Sequence, residues 1–187
     1  EYRELLYSNL EEQERLAKMV NDMLWLAKSD HGLLKPEQTP LNLAEEVNAL
    51  FDFFEALADE RQIHLILEGR APTIHGDRAM LRRAISNLLS NAIRLSPSSE
   101  TVRVKLAKTG DQEVSLSVQN PGSEIPAEHL PHIFDRFYRV DPSRARQSEG
   151  AGLGLAIVKS IVEAHGGRAE ATSARNMTTF TLIFLET

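Results

Sequence analysis

The chain has 187 residues, 42% hydrophobic and 26% charged, with a net charge of −6 and no cysteine. That length supports one sizeable core plus an appendage. The acidic balance argues against a general nucleic-acid binder, and the missing thiols exclude a disulfide framework or a thiolate zinc site.

No apolar run is long enough to span a bilayer, and no signal peptide is recognisable. The chain opens on Glu1 inside a helical pattern, so we expect a piece of a longer protein. The lack of a membrane segment here then says nothing about the parent.

Residues 2–28 predict one helix. Leu6, Leu10, Leu16, Ala17, Val20, Met23, Leu24 and Ala27 recur at helical spacing, interrupted by Gln13, with no Pro or Gly among them. The stripe is narrow, close to a heptad seam. A helix this long needs tertiary contacts. The seam therefore predicts a partner helix, from the rest of the parent or from a second subunit; the other reading packs it on the following domain. Ser29 to Pro40 is rich in breakers and reads as a linker. The expected division is a helix over 1–30, a linker over 31–40 and a globular domain over 41–187.

Asn42 and Glu45 form a capping-box signature that opens a helix near 43–60. Ile63–Leu67 alternates as a strand. Gly76-Asp77 caps a helix whose apolar residues Leu81, Ala84, Ile85, Leu88, Leu89 and Ala92 make one buried face. Thr101–Ala107 and Glu113–Gln119 are strands of a hairpin around Thr109-Gly110-Asp111. A short helix is expected over Ala127–Phe134, an irregular stretch to Gly150, and a helix over Leu153–His165. Arg168–Ser173 and Thr178–Phe184 close the chain as strands. The fold class is α/β, a two-layer sandwich of a mixed sheet with helices on one face, preceded by one long helix.

Asn87, Asn91 and Arg94 share a stripe roughly 60° wide on the flank of the buried helix face. Two amides and a guanidinium beside a core suit a metal–phosphate ligand. Gly150, Gly152 and Gly154 precede an apolar helix beginning at Leu155. Glycines let a backbone approach a phosphate, and the helix start adds free N–H groups; flexible linkage is the plainer reading. The run is neither a Walker loop nor a Rossmann fingerprint.

Asn120-Pro-Gly122 ends a strand. It reads either as a turn or as an amide placed to meet an exocyclic amine, with Ile125 lining an apolar base pocket. Phe134-Asp-Arg-Phe-Tyr138-Arg139 opens the irregular stretch. That stretch is either a lid, with Arg136 and Arg139 facing anions, or a loop tethered by its aromatics. His129 and His132 lack a third ligand and the spacing of a metalloprotease helix, so they read as structural.

In this order, Asn87-x-x-x-Asn91, Asn120-Pro-Gly122, Phe134-Asp-Arg-Phe, Gly150-x-Gly-x-Gly154 and Thr178 resemble the catalytic ATP-binding domain of sensor histidine kinases of two-component systems. The match covers roughly residues 40–187. Residues 2–28 resemble the second helix of that family's dimerisation and phosphotransfer hairpin. The wording Asn-Leu-Leu-Ser-Asn-Ala, Asp-Arg-Phe-Tyr-Arg-Val-Asp-Pro-Ser-Arg and Gly-Leu-Ala-Ile-Val-Lys-Ser-Ile-Val resembles copper- and silver-responsive heavy-metal sensor kinases.

The resemblance implies a Bergerat-type ATP sandwich, as in chaperone and mismatch-repair ATPases, using ATP and Mg²⁺. It implies Asn91 on Mg²⁺ with help from Asn87, and Arg94 on a phosphate. Asn120 would face the adenine amino group, beside Gly122 and Ile125, with Tyr138 also at the nucleotide. Gly150, Gly152, Leu153, Gly154 and Leu155 would form the phosphate loop. Thr178 would back the base, and Arg136 and Arg139 would approach the transferring phosphoryl.

It also implies a homodimeric, membrane-anchored parent at the cytoplasmic face of a bacterial inner membrane, and a response-regulator receiver domain as partner. Nucleic acid is not expected. Three departures stand out. The adenine-reading position is Asn120 in place of the usual Asp, the motif's second glycine is Glu124, and the terminal Gly-Thr is Met177-Thr178. None of the six histidines has the phosphoacceptor context, so the target histidine is expected outside this piece.

A neutral imidazole attacks a phosphorus without a base, whereas water benefits from one. In the related ATPases a Glu holds the position of Asn87. An Asn there favours a kinase over a hydrolase. The alternatives are an ATPase of the same fold and an interaction module whose nucleotide site has decayed.

Overall fold

The computed structural model describes residues 2–70, 73–110, 112–140 and 151–186, with side chains at 9, 10 and from 12 onward. The elements are α1 (Tyr2–Asp30), β1 (Thr39–Leu41), α2 (Leu43–Glu60), β2 (His64–Gly69), β3 (Ile74–Gly76), α3 (Arg78–Leu95), β4 (Thr101–Lys108), β5 (Glu113–Pro121), a 3-10 turn (Leu130–His132), α4 (Gly154–Ala164), β6 (Arg168–Ala174) and β7 (Met177–Leu185).

Five strands form a mixed sheet in the order β2-β4-β5-β7-β6. β2 and β4 run parallel, and the remaining neighbours are antiparallel. The inward residues form continuous rows. Val104 lies opposite Val118, which lies opposite Phe180; Leu106 lies opposite Leu116, which lies opposite Leu182. All six are buried, and such cross-strand pairs are what stabilise a sheet.

The rows meet one side of each helix. α3 buries Leu81, Ala84, Ile85, Leu88, Leu89 and Ala92 together with Met80 and Ile93. α2 buries Val47, Leu50, Phe54 and Ala58, and α4 buries Ala156, Ile157, Val158, Ile161 and Val162. Each large apolar side chain removed from water contributes about 1.5–3 kcal/mol. This is the expected sandwich with its helices on one face.

Local chemistry sets the helix starts. Asn42 Oδ1 accepts the Ala44 N–H at 3.0 Å and its amide donates to Glu45 at 2.9 Å, a variant of the capping box. Asp77 caps α3 by accepting the Met80 N–H at 3.0 Å. The carboxylate of Glu46 is buried and is held by Arg78 at 2.6 Å and Arg82 at 3.4 Å, which ties α2 to the first turn of α3.

Three expectations change. The stretch read as a linker contains β1, paired antiparallel with β3 from Thr39↔Gly76 to Leu41↔Ile74. Ala127–Phe134 holds only a single 3-10 turn flanked by turns. Pro131 lies inside it, and a proline there has no N–H to continue an α-helix.

The third change concerns α1, which uses two faces. Leu26 is buried, Met19 and Trp25 pack against the domain core, and Asp22 bonds Arg83 at 2.6 Å. The seam residues Leu10, Leu16, Val20, Met23 and Leu24 are exposed. Domain packing therefore falls on residues outside the predicted seam, and both readings of the helix hold on different sides. The side chain of Leu6 lies outside the described residues.

Candidate nucleotide site

α3 and α4 lie side by side and bring the amide stripe to the glycine run. Asn87 Nδ2 donates to the Gly154 carbonyl at 3.3 Å. Asn91 is half-buried one turn further along the same flank. Arg94 follows, with Nε donating to the Ser90 carbonyl at 3.3 Å. Asn87 thus joins the helix of the amides to the first residue of α4.

Among the described residues, no side chain caps the start of α4. Its N-cap is Leu153, which is buried and makes no side-chain cap. The N–H groups of Gly154, Leu155 and Ala156 have no acceptor inside the helix, and the dipole there favours an anion. Gly152 adopts φ +71, and a Cβ on it would meet the Phe137 carbonyl carbon at 2.9 Å and the Tyr138 oxygen at 3.0 Å. Only glycine fits that backbone crossing. The Phe137 N–H donates to the Gly152 carbonyl at 2.9 Å, so the aromatic segment is fastened to the glycine run. Gly150 lies outside the described residues, as does the rest of 141–150.

Within that segment, Phe134 packs edge-on against Phe180 with centroids 6.2 Å apart. Tyr138 Oη meets His129 Nδ1 at 2.6 Å, and His132 Nδ1 meets Asp135 at 3.0 Å. These partners account for the two histidines structurally. Arg136 bonds Asp30 at the end of α1; that hydrogen bond holds the Asp30 carboxyl below the usual range, against the opposing pull of desolvation. Arg136 is therefore engaged with the end of α1. Arg139 is half-buried.

The base end forms separately. Asn120 and Thr178 are register partners on β5 and β7, 4% and 5% exposed. Asn120 Nδ2 donates to the Pro121 carbonyl at 3.3 Å, which turns Oδ1 the other way as an acceptor. A Cβ on Gly122 would sit 3.3 Å from the Leu95 carbonyl and 3.9 Å from Asn120 Nδ2. The end of α3 therefore touches the strand end that carries Asn120. The Ile125 N–H donates to Ser173 Oγ at 2.9 Å, and Ser173 shares a hydrogen bond with Thr178 Oγ1 at 3.0 Å.

Along α3, Asn87 in mid-helix and Leu95 at the C-terminal end are roughly 12 Å apart at 1.5 Å per residue. That separation sets Asn120 and Gly154 at the two ends of the candidate site. Two cavities among the described residues lie elsewhere. One, of about 400 Å³, is lined by Glu37, Thr39, Asp77, Arg78, Ala79 and Arg82. The other, of about 110 Å³, lies between Glu113 and Leu185. Neither cavity includes Asn87, Asn91, Asn120 or Gly154.

Ser173 and Asn176 were missed in the sequence. The signal was available: Arg175-Asn176 is a two-residue connection between alternating strands, and asparagine is favoured where such a turn needs positive φ.

Residues 76–187 match the family described as histidine kinase-, DNA gyrase B-, and HSP90-like ATPase. The chain is similar to the sensor histidine kinase CusS of Escherichia coli, 56% identical over 183 residues that cover 98% of this chain and 38% of that protein. In fold it is similar to the histidine kinase AdeS of Acinetobacter baumannii, with a TM-score of 0.81 at 22% identity over 97% of this chain and 83% of that one. It is also similar in fold to the histidine kinase ThkA, solved in complex with the response regulator protein TrrA. There the TM-score is 0.76 at 23% identity, over 95% of this chain and 49% of that one. The chain thus spans under two fifths of the length of the curated relative it matches.

Proposed function

Because the chain belongs to the histidine kinase-, DNA gyrase B-, and HSP90-like ATPase family, we propose that it is the ATP-binding catalytic domain of a sensor histidine kinase. It transfers the γ-phosphoryl of ATP to a histidine carried elsewhere in the parent. The observation that carries this reading is the Asn87 amide on the Gly154 carbonyl, 3.3 Å away. It unites the amide stripe with an uncapped helix start, and these are the two halves of a metal–phosphate site.

The residues present fit Mg·ATP. Asn91 would hold Mg²⁺ with help from Asn87, and Arg94 would meet a phosphate. Gly152, Leu153, Gly154 and Leu155 offer backbone N–H groups, with Gly150 as a further member of the loop. At the other end Asn120 accepts from the adenine amine, with Gly122, Ile125, Tyr138 and Thr178 around the base. Bound there, Mg²⁺ supplies charge neutralisation across the phosphates. Asn87 and Asn91 would hold the phosphates for an incoming imidazole, whose lone pair needs no base. Arg139 approaches the phosphoryl, and Arg136 does so once it leaves Asp30.

Position 87 also separates this reading from a hydrolase of the same fold, because an amide cannot take a proton from water at neutral pH. The buried, ordered pair Asn120 and Thr178 weighs against a decayed nucleotide site. The parent is proposed to be a membrane-anchored homodimer signalling to a response regulator, with the exposed seam of α1 continuing into a helical hairpin. The domain division at 1–30, 31–40 and 41–187 follows that reading, and local wording supports a heavy-metal-responsive subclass.

The test is titration with fluorescent ADP with and without Mg²⁺, then incubation of the chain and ATP with a hairpin carrying the acceptor histidine. Saturable, Mg²⁺-dependent binding and an acid-labile phosphohistidine are expected. Asn91→Ala should lose the Mg²⁺ dependence while keeping the fold. Steady phosphate release without phosphohistidine would make it a hydrolase, and no saturable binding would make it an interaction module.

A further inference from the structure

The turn joining β6 to β7 is unusual in sequence. Arg175 and Asn176 both take left-handed backbone, φ +54 and +58, in a two-residue connection between Ala174 and Met177. In such a turn the N–H of the second residue finds no partner within the hairpin. Here it finds one 52 residues away, because Glu124 Oε1 accepts the Asn176 N–H at 2.9 Å. Asn176 also accepts: its carbonyl takes the Gly122 N–H at 2.9 Å.

Segment 122–125 is consequently stitched to the hairpin at three places: Gly122 to the Asn176 carbonyl, Glu124 to the Asn176 N–H, and Ile125 to Ser173 Oγ. Ser173 passes the last contact on to Thr178, the register partner of Asn120. On its other side Gly122 already lies against the Leu95 carbonyl. The path of the segment is held from both sides, and the residues it places are those assigned to the base.

We propose that Glu124 is a positioning residue for the base end of the nucleotide site. Its carboxylate faces the turn rather than the groove, and acts by holding Asn176 against Gly122 so that Asn120 and Ile125 keep their places. This rests on the nucleotide reading above. With Glu124→Ala the exposed Asn176 N–H turns to water and the segment loses its central tie. With Glu124→Gln the amide oxygen still accepts, so the tie survives without the charge.

The experiment is calorimetric titration of the chain, in Mg²⁺, with two probes: ADP, which spans both ends of the groove, and inorganic tripolyphosphate, which reaches only the phosphate end. Glu124→Ala is expected to weaken ADP about three- to tenfold, the range for one hydrogen bond, and to leave tripolyphosphate unchanged. Glu124→Gln is expected to restore the ADP affinity. Equal losses for both probes, or an alanine variant that binds ADP as tightly as wild type, overturn the proposal. Absence of ADP binding by the wild-type chain overturns the nucleotide reading itself, which separates the two failures.

Discussion

His165 receives the backbone N–H of Asp77 on Nε2 at 3.0 Å while Nδ1 donates to the Ile161 carbonyl at 2.7 Å. One ring thereby joins the last turn of α4 to the cap of α3, the two helices proposed to form the phosphate end of the site. The contact needs Gly76, where a Cβ would stand 3.1 Å from His165 Cδ2 and 2.7 Å from Leu81.

Replacing His165 with Ala should therefore act on both helices. It leaves the Asp77 N–H unpaired in a half-buried place, a loss of about 1–3 kcal/mol. Urea denaturation should record that loss, and nucleotide affinity should fall with it because Asn87 and Gly154 are no longer held in common. A variant of unchanged stability would show that the ring only fills space.

Asp77 predicts an acid-limb effect. Burial pushes its carboxyl up, but the N–H groups of Met80, Glu37 and Ala79, with His165 nearby, outweigh that and leave it below the usual carboxylate range. A folded-state value below the unfolded one gives stability that is full above about pH 4 and is lost as pH falls through the folded value. Asp77→Asn still caps but does not titrate, so its stability should flatten between pH 5 and pH 2 relative to wild type. Asp77→Ala should cost about 0.5–2 kcal/mol at pH 7. Denaturation midpoints across that pH range decide both.

At Gly152 the expected outcome depends on position rather than on φ alone. Gly152→Ala must displace the Phe137 backbone, at about 1–3 kcal/mol of strain, and should weaken ADP at least tenfold. Gly110 has a comparable φ of +76 but open space around it. Gly110→Ala should lose about 1 kcal/mol and bind ADP normally. Melting and titration of the pair separate strain from site damage.

The chain has a single tryptophan, and it sits in the α1 contact. The Arg83 guanidinium lies 4.4 Å from the centre of the Trp25 ring and also bonds Asp22. Arg83→Ala should free this end of α1, shifting Trp25 emission to longer wavelength and speeding proteolysis after residues 28–35. An unmoved emission maximum would show that Leu26 and Ser29 hold the helix without Arg83.

Legibility followed periodicity. α2 runs over Leu43–Glu60, as the capping signature predicts, and the buried face of α3 contains every residue read from its pattern. β1 and β3 escaped because a three-residue ladder offers no period to detect, and Pro40 resembles a breaker. The docking face of α1 escaped because Met19, Trp25 and Leu26 lie beside the heptad positions and are chosen by the surface they meet. The ties from Glu124 to Asn176 and from Ser173 to Ile125 join residues about fifty apart. Only the folded chain can bring them together. The motif residues at both ends of the groove were readable in the sequence; the hydrogen bonds that hold them were not.

The two-faced helix α1 has a mechanical consequence. One side is fastened to its own domain through Asp22, Trp25, Leu26 and Ser29, while the opposite stripe, with Val20 55% exposed, stays open to another helix. The two faces lie on different sides of the helix, so a partner on the open stripe would not displace the domain contact. At the C-terminal end of α1, Asp30 bonds Arg136 and Ser29 accepts from Ser160, so a helix laid on the open stripe would leave these ties in place.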